Sequence, residues 1–221
     1  KLAASHGMKV LLDGQGSDEF LGGYHHSYFR IYGEWIRRMG TGKLLRELSL
    51  RRKELGLTAA GVRSILLKSL VAAFRNESQM ARLEYDRKHP LLMPEFPGRR
   101  VVELPSFGKD RFREFSWHLL FHTTLPSLLH FEDRNSMWFS IESRVPFLDH
   151  RVVEYGFSLP LEEKVDGLWT KKVLRESMRG ILPEDIRMRK DKKGFVTPGE
   201  VKWLAGPLSH LLDFDMKKLD M

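Results

Sequence analysis

Met8-Lys9-Val10-Leu11-Leu12-Asp13-Gly14-Gln15-Gly16-Ser17-Asp18-Glu19 reads as a short buried strand, a glycine turn and two carboxylates opening a helix. Glycine lets the backbone approach a ligand closely and adopt positive φ. The free N–H groups of a helix start favour anions. An acid at the same spot can hold a hard cation such as Mg²⁺, which takes oxygen ligands and bridges to substrate phosphates. Together these features point to a nucleotide site. Local chemistry alone supports equally well a tight strand-to-helix turn whose acids offset the helix dipole.

The helical pattern runs on from Glu19 to Trp35, across Gly22-Gly23. A glycine inside a helix costs about 1 kcal/mol, so the pair implies close backbone packing against a neighbour. Thr41 to Leu50 reads as a short basic helix. Thr58 is a good N-cap for a helix to about Arg75, with Val62, Ile65, Leu66, Leu70 and Phe74 at helical spacing as its core face. Residues 88–109 carry Pro90, Pro94, Pro97 and Pro105 and read as an irregular linker. Regular structure resumes at about Asp110. Pro126 suits a first helical position, with Leu128, Leu129, Phe131 and Met137 as core contacts. Asp149 caps a short helix that Pro160 stops, and Asp166-Gly167 is a tight turn. Thr170 caps a helix through about Arg179, with Gly180 just past its end, and Pro183 opens a further turn. The expected fragment is therefore mostly α-helical, with one short parallel strand, Met8 to Leu12, at the edge of a truncated sheet.

At 221 residues the chain suits one large domain or two small ones. It has no cysteine, which removes disulfides, thiolate metal sites and a cysteine nucleophile and suits a reducing, cytoplasmic setting. No apolar run nears the roughly 18 residues that a membrane span needs. The net charge of +8 suits anionic ligands. No helix-turn-helix, zinc-finger or RNA-binding aromatic motif is visible, so nucleic acid is the weaker alternative. A strand so close to Lys1, which is not Met, leads us to expect a piece of something longer.

Two further stretches carry chemistry. Asp133-Arg134-Asn135-Ser136-Met137, with Glu142, Arg144 and Asp149, crowds charges among large apolar residues. Such charges are costly unless paired, so Arg134 and Arg144 are expected to meet carboxylates in forks. The stretch reads as a salt-bridge network, or as one that turns an acid or an arginine toward substrate. Arg187 to Lys193 is a basic run that ends in Gly194-Phe195. A solvated face is the ordinary reading of such a run. A lysine held there, Lys192, can also neutralise charge developing on a phosphate. His118 and His122 are four apart without an evident third metal ligand and read as packed or solvated.

Taken together and in order, Leu11 to Tyr24, Leu128 to Tyr155, Leu168 to Arg175 and Ile181 to Trp203 resemble the glutamine-dependent asparagine synthetases. The most specific stretches are Asp133-Arg134-Asn135-Ser136-Met137…Glu142-Ser143-Arg144-Val145-Pro146-Phe147-Leu148-Asp149 and Lys172-Val173-Leu174-Arg175…Lys192-Lys193-Gly194-Phe195. The resemblance implies a synthetase domain of the ATP-pyrophosphatase group, a doubly wound α/β fold. It implies ATP and Mg²⁺ as cofactors, and aspartate with ammonia from glutamine as substrates. Aspartate would be activated as β-aspartyl-AMP and then amidated. Carried over by motif, Asp13, Gly14, Gly16 and Ser17 match the segment against ATP. Gln15 matches a position tied to adenylate formation, and Asp18 a Mg²⁺-binding acid. Asp133 matches the acidic stretch on the substrate side, and Lys192 the lysine that stabilises adenylation and pyrophosphate departure.

The sequence departs from the family pattern in two places. It lacks the cysteine nucleophile of a glutaminase domain and the Ser-Gly-Gly-x-Asp-Ser loop that grips pyrophosphate. Both belong upstream, so residues 1–221 are expected to be the C-terminal portion of a synthetase domain, inactive alone. Its partner would be the N-terminal portion of the same enzyme, and a homodimer is compatible with this reading. Gln15 stands where some relatives carry Glu, and an amide cannot act as a base. The alternatives are a relative such as β-lactam synthetase that adenylates another carboxylate, and a non-catalytic basic helical module.

Overall fold

The glycine turn sits between a three-residue strand and a single helical turn, and everything around it is helical. The computed structural model describes residues 1–24, 28–38, 40–88, 104–108, 110–167, 169–190 and 206. Residues 1–190 make one unit. Residues 191–221 make another, which lies outside the described residues except for Gly206. In chain order the first unit contains α1 (Leu2–Ser5), β1 (Val10–Leu12), α2 (Ser17–Phe20), α3 (Tyr28–Arg37), α4 (Thr41–Leu55), α5 (Ala59–Phe74), α6 (Glu77–Lys88), α7 (Arg111–Phe121) and α8 (Thr124–Met137). There follow β2 (Glu142–Arg144), a 3-10 turn at Pro146–Leu148, α9 (His150–Ser158), α10 (Leu161–Lys164), β3 (Val165–Asp166), β4 (Trp169–Thr170), α11 (Lys172–Ser177) and α12 (Glu184–Arg187). β1 pairs with β2 in parallel, and β3 pairs with β4 in an antiparallel hairpin.

The main core forms where α3 turns Tyr28, Ile31, Tyr32 and Trp35 inward at helical spacing. They meet Leu44 and Leu48 of α4, Phe112, Phe115 and Leu119 of α7, Leu161 of α10 and Val165 of β3. Each large side chain so buried contributes about 1.5–3 kcal/mol. The far side of α3 carries Gly33. A Cβ there would stand 2.9 Å from the Ser69 carbonyl oxygen and 3.0 Å from the Ala73 nitrogen, so the backbones of α3 and α5 touch. A second cluster holds Phe20 and Leu21 against Leu120 of α7 and Leu125 of α8.

Two of the charges buried between these helices, Arg30 and Glu34, are paired. Arg30 donates to Glu77 as a fork at 2.9 and 2.8 Å and lies over the Phe115 ring at 4.1 Å. Glu34, fully buried, accepts from Arg38 at 2.7 Å and from the Arg111 backbone N–H at 3.2 Å, which satisfies the start of α7.

Several local expectations are met. The Thr58 hydroxyl accepts from the Gly61 N–H at 3.1 Å. Asp149, expected as a cap, accepts from the Arg151 N–H at 2.9 Å, and helical structure resumes after Asp110, whose carboxylate accepts from the Arg113 N–H at 2.9 Å. Gly167 takes φ +60° in the β3–β4 turn. β1 is a parallel strand, as expected.

Other expectations need correction. The helix read from Glu19 to Trp35 is broken after Phe20, because Gly22 adopts φ +74° and turns the chain. β1 is not a buried strand: Val10, Leu11 and Leu12 are 39, 38 and 75 % exposed. Its one partner among the described residues, β2, is itself mostly exposed and covers neither face. β2 lies within a charged segment that showed no strand pattern. α4 runs on to Leu55, where Gly56 in the left-handed conformation stops it. α5 buries Ser69, Ala72 and Ala73, leaving Leu70 and Phe74 exposed, because close approach to Gly33 selects small residues. In α8 the buried residue is Leu125, whereas Phe131 and Met137 are exposed and Pro126 is the third helical residue. Lys171, not Thr170, precedes α11. α6 reaches Lys88, the first residue read as linker. Residues 89–103 and Lys109 lie outside the described residues, and 104–108 form no regular element.

Candidate functional site

In a parallel sheet of an α/β protein, ligands collect beyond the carboxyl ends of the strands. Those of β1 and β2 lie side by side in the register Leu12 to Arg144. The Asp13 N–H donates to the Arg144 carbonyl at 2.8 Å and extends the ladder by one residue. The Asp13 carboxylate then accepts from the Gln15 N–H at 2.9 Å, which bends the chain into the glycine turn. A Cβ on Gly14 would meet nothing within 4 Å among the described residues, which leave this side of the turn open. Gly16 differs. It adopts φ +97°, and a Cβ there would lie on the Leu148 side chain. The Ser17 hydroxyl donates back to the Gly14 carbonyl at 3.2 Å, and Phe20 anchors the turn in the second core cluster.

The acids that follow have separate environments. Glu19 is buried and accepts from the Tyr24 hydroxyl at 2.7 Å. Desolvation pushes its carboxyl above the usual range, and the tyrosine donor opposes that only in part. Asp18 stays partly exposed. Lys171 Nζ stands 2.8 Å from its Oδ1 and 2.9 Å from the Ser17 hydroxyl. Gly23 makes room for this meeting, since a Cβ there would overlap Asp18 Oδ1 and stand 2.8 Å from Lys171 Cε.

Opposite the turn, α8 presents Glu132. Its carboxylate accepts from the Ser143 hydroxyl of β2 and faces the side chains of Asp13 and Gln15. Burial raises its proton affinity, Ser143 opposes this, and the adjacent Asp13 charge adds to it. Asp133, the acid that sequence reasoning nominated, is exposed, and its carbonyl accepts from the Ser136 hydroxyl at 3.1 Å. Glu132 lies on the helix stripe of Leu125, Leu129 and Ser136, and Asp133 stands one residue, or about 100°, off it. That stripe was the available signal for Glu132. Lys171 had none, since its partner depends on the tertiary fold.

The expected arginine forks are half present. Arg144 grips Glu142 at 2.7 and 3.2 Å, but on the surface rather than among apolar groups. Arg134 is exposed and forms no ion pair among the described residues. The rings of His118 and His122 stack at 6.0 Å. Lys192 lies outside the described residues.

Mg²⁺ takes one or two protein carboxylates and completes its shell with water and phosphate oxygens. The hard oxygen donor of Asp18, already holding a cationic nitrogen at 2.8 Å, fits that requirement. No group of three or more His, Asp or Glu converges as a metal cage among the described residues. No helix among them is long and apolar enough to cross a membrane.

The family model for asparagine synthase matches residues 1–218. The chain belongs to the asparagine synthase family. Among curated relatives it is 43 % identical over 83 residues to "Asparagine synthetase [glutamine-hydrolyzing] 3" of Bacillus subtilis, a match covering 38 % of the chain and 14 % of the relative. It is 28 % identical over 224 residues to "Asparagine synthetase [glutamine-hydrolyzing] 1" of the same organism, covering 90 % of the chain and 32 % of the relative. A putative asparagine synthetase of Mycobacterium tuberculosis is 27 % identical over 205 residues, covering 86 % of the chain and 30 % of the relative. The chain thus spans at most about a third of the length of these relatives. No solved structure matches it. For this member of the asparagine synthase family, the mostly helical body with a short parallel sheet is the framework that carries the glycine turn.

Proposed function

We propose that this chain is part of an ATP-dependent carbon–nitrogen ligase that amidates aspartate to asparagine, with ammonia drawn from glutamine. The observation that carries the reading is the gathering of Asp13, Gln15, Asp18 and Glu132 around an open glycine turn at the carboxyl end of a parallel strand pair. Membership of the asparagine synthase family gives that arrangement its chemistry.

A carboxylate does not react with ammonia unaided. In the proposed reaction an aspartate β-carboxylate oxygen attacks the α-phosphorus of ATP. The bond to the β-phosphate bridging oxygen breaks, and pyrophosphate leaves. The nitrogen lone pair of ammonia then attacks the acyl carbon of β-aspartyl-AMP. AMP departs with the acyl C–O electrons, and the nitrogen loses a proton. Asp13, Gly14, Gly16 and Ser17 form the wall against ATP, with Gly14 leaving room for close backbone approach. Gln15 orients the adenylate by hydrogen bonding, since its amide neither carries charge nor takes a proton. Asp133 borders the aspartate side. Lys192 offsets the charge that develops as pyrophosphate separates. Asp18 would hold Mg²⁺, which when bound would share that charge. A doubly wound α/β sheet, a glutaminase portion elsewhere in the enzyme, a homodimeric assembly and a cytoplasmic site of action complete the proposal.

The test is exchange of labelled pyrophosphate into ATP by the longer enzyme to which this chain belongs, with mass spectrometry of the products. Exchange that requires aspartate, with AMP and asparagine formed, is expected. Exchange driven by another carboxylic acid and not by aspartate would reassign the substrate. Formation of ADP in place of AMP would overturn the adenylation step.

A further inference from the structure

Lys171 is one of two non-glycine residues with positive φ among the described residues, at +52°. The left-handed region costs an ordinary side chain energy and persists where surrounding contacts enforce it. The contacts here are specific. The Lys171 N–H donates to the Leu21 carbonyl at 3.3 Å. The hairpin before it is clamped from α4, where Arg51 donates to the Gly167 carbonyl at 3.3 Å. The segment after it is clamped too, because Arg175 Nε donates to the Thr170 carbonyl at 2.8 Å. The lysine is thereby aimed at one place. Its ammonium lies 2.8 Å from Asp18 and 2.9 Å from Ser17, in a slot that only a missing Cβ at Gly23 leaves open. Lys171 and Asp18 are about a quarter exposed, so the pair meets solvent and a ligand can reach it.

We propose that Lys171 is a built-in counter-ion for Asp18. It occupies the cation position of that carboxylate until a metal-bound phosphate ligand arrives. It then yields the carboxylate to the metal and passes to a phosphate oxygen. This rests on the reading of the glycine turn as a nucleotide site. An ammonium and a divalent ion compete for the same carboxylate lone pairs, and an ammonium is also a good phosphate partner. The exchange keeps the slot neutral before binding and neutralises phosphate charge after it. The lysine's role is that of a binding and positioning residue.

The probes are Mn²⁺ alone, followed by the electron paramagnetic resonance signal of the free ion, and Mn²⁺ with inorganic pyrophosphate. The variants are Lys171→Gln, Lys171→Arg and Asp18→Asn. Lys171→Gln should bind Mn²⁺ alone about 3- to 10-fold more tightly than the unmodified protein, the scale of a part-exposed ion pair. Misfolding does not produce a gain of that kind. With pyrophosphate present the order should reverse, Lys171→Gln binding about 10-fold more weakly. Lys171→Arg, which keeps the charge, should follow the unmodified protein in both titrations. Unchanged or weaker Mn²⁺ binding by Lys171→Gln overturns the exchange, provided that Asp18→Asn abolishes binding. If Asp18→Asn binds Mn²⁺ undiminished, the metal role of Asp18 fails, and the nucleotide reading of the turn fails with it.

Discussion

Ser17 and Lys171 meet across 154 positions of sequence, and Glu132 meets Asp13 between helix and strand. Neither meeting leaves a mark in local spacing. The Asp13-to-Asp18 turn was legible because its chemistry is local: glycines, a strand before them and acids after. Asp18 was singled out on that basis, and its engagement by a cation is the environment such an acid needs. Glu132 was passed over because its neighbour Asp133 stands in the more conspicuous motif. Only the helix phase, fixed by where Leu125 is buried, separates the two acids. At this scale the proposed reaction makes a clear demand on Lys192. Replacing Lys192 with Ala should slow aspartate-dependent pyrophosphate exchange on the order of 10²–10³-fold, the usual loss for one preorganised charge-stabilising donor. Glutamine hydrolysis should be spared. Parallel assays of the two activities check this, and an equal loss of both would remove the assigned role.

Among elements, the closest approach is that of α3 to α5, and it sets two effects against each other. Gly33→Ala in an isolated helix would stabilise by about 1 kcal/mol. Here the added methyl group would meet backbone atoms of Ser69, Ala72 and Ala73 at 2.9–3.1 Å, and backbone cannot swing aside as a side chain can. Overpacking of that kind costs about 1–3 kcal/mol, so a net loss of stability is expected, read as a lower urea midpoint. A higher midpoint would mean that α3 and α5 do not pack as described. The same contact explains why the α5 core face was misread. Val62, Ile65 and Leu66 do pack on the core, but Leu70 and Phe74 follow the helical period into solvent, because the crossing with α3 admits only small side chains beyond Leu66. Caps at Thr58 and Asp149 were legible, since each depends on residues two or three positions away. The break between α2 and α3 was not, because apolar spacing runs straight through Gly22.

Across the whole molecule, titration of one buried side chain should set the response to alkali. Lys164 is 2 % exposed, and its ammonium lies 5.6 Å from the Phe112 ring and 5.7 Å from the Phe157 ring. Desolvation lowers its pKa from 10.5 to about 8, Asp110 opposing that shift and Arg113 adding to it. Below about pH 8 the folded protein carries the cost of a charge in an apolar slot. Between about 8 and 10.5 the folded chain has released that proton while the unfolded chain still holds it, so this group adds stability as pH rises. Lys164→Met should therefore stabilise the protein at pH 7 by about 1–3 kcal/mol. The advantage should fade toward pH 10.5, and thermal melts of both proteins across that range check it. A constant difference between them would show that lost packing, not charge, governs the substitution.

β1 has consequences at this scale too. Leu12 is three-quarters exposed, and Val10 and Leu11 are uncovered on either side of the ribbon. In a parallel pair, alternate residues turn their backbone groups away from the partner, so the margin of β1 left unpaired by the other described residues offers N–H and C=O groups to any extended chain that reaches it. In concentrated solution that margin would act as an adhesive seam, and residues 1–190 handled alone would self-associate through it sooner than through any helical surface.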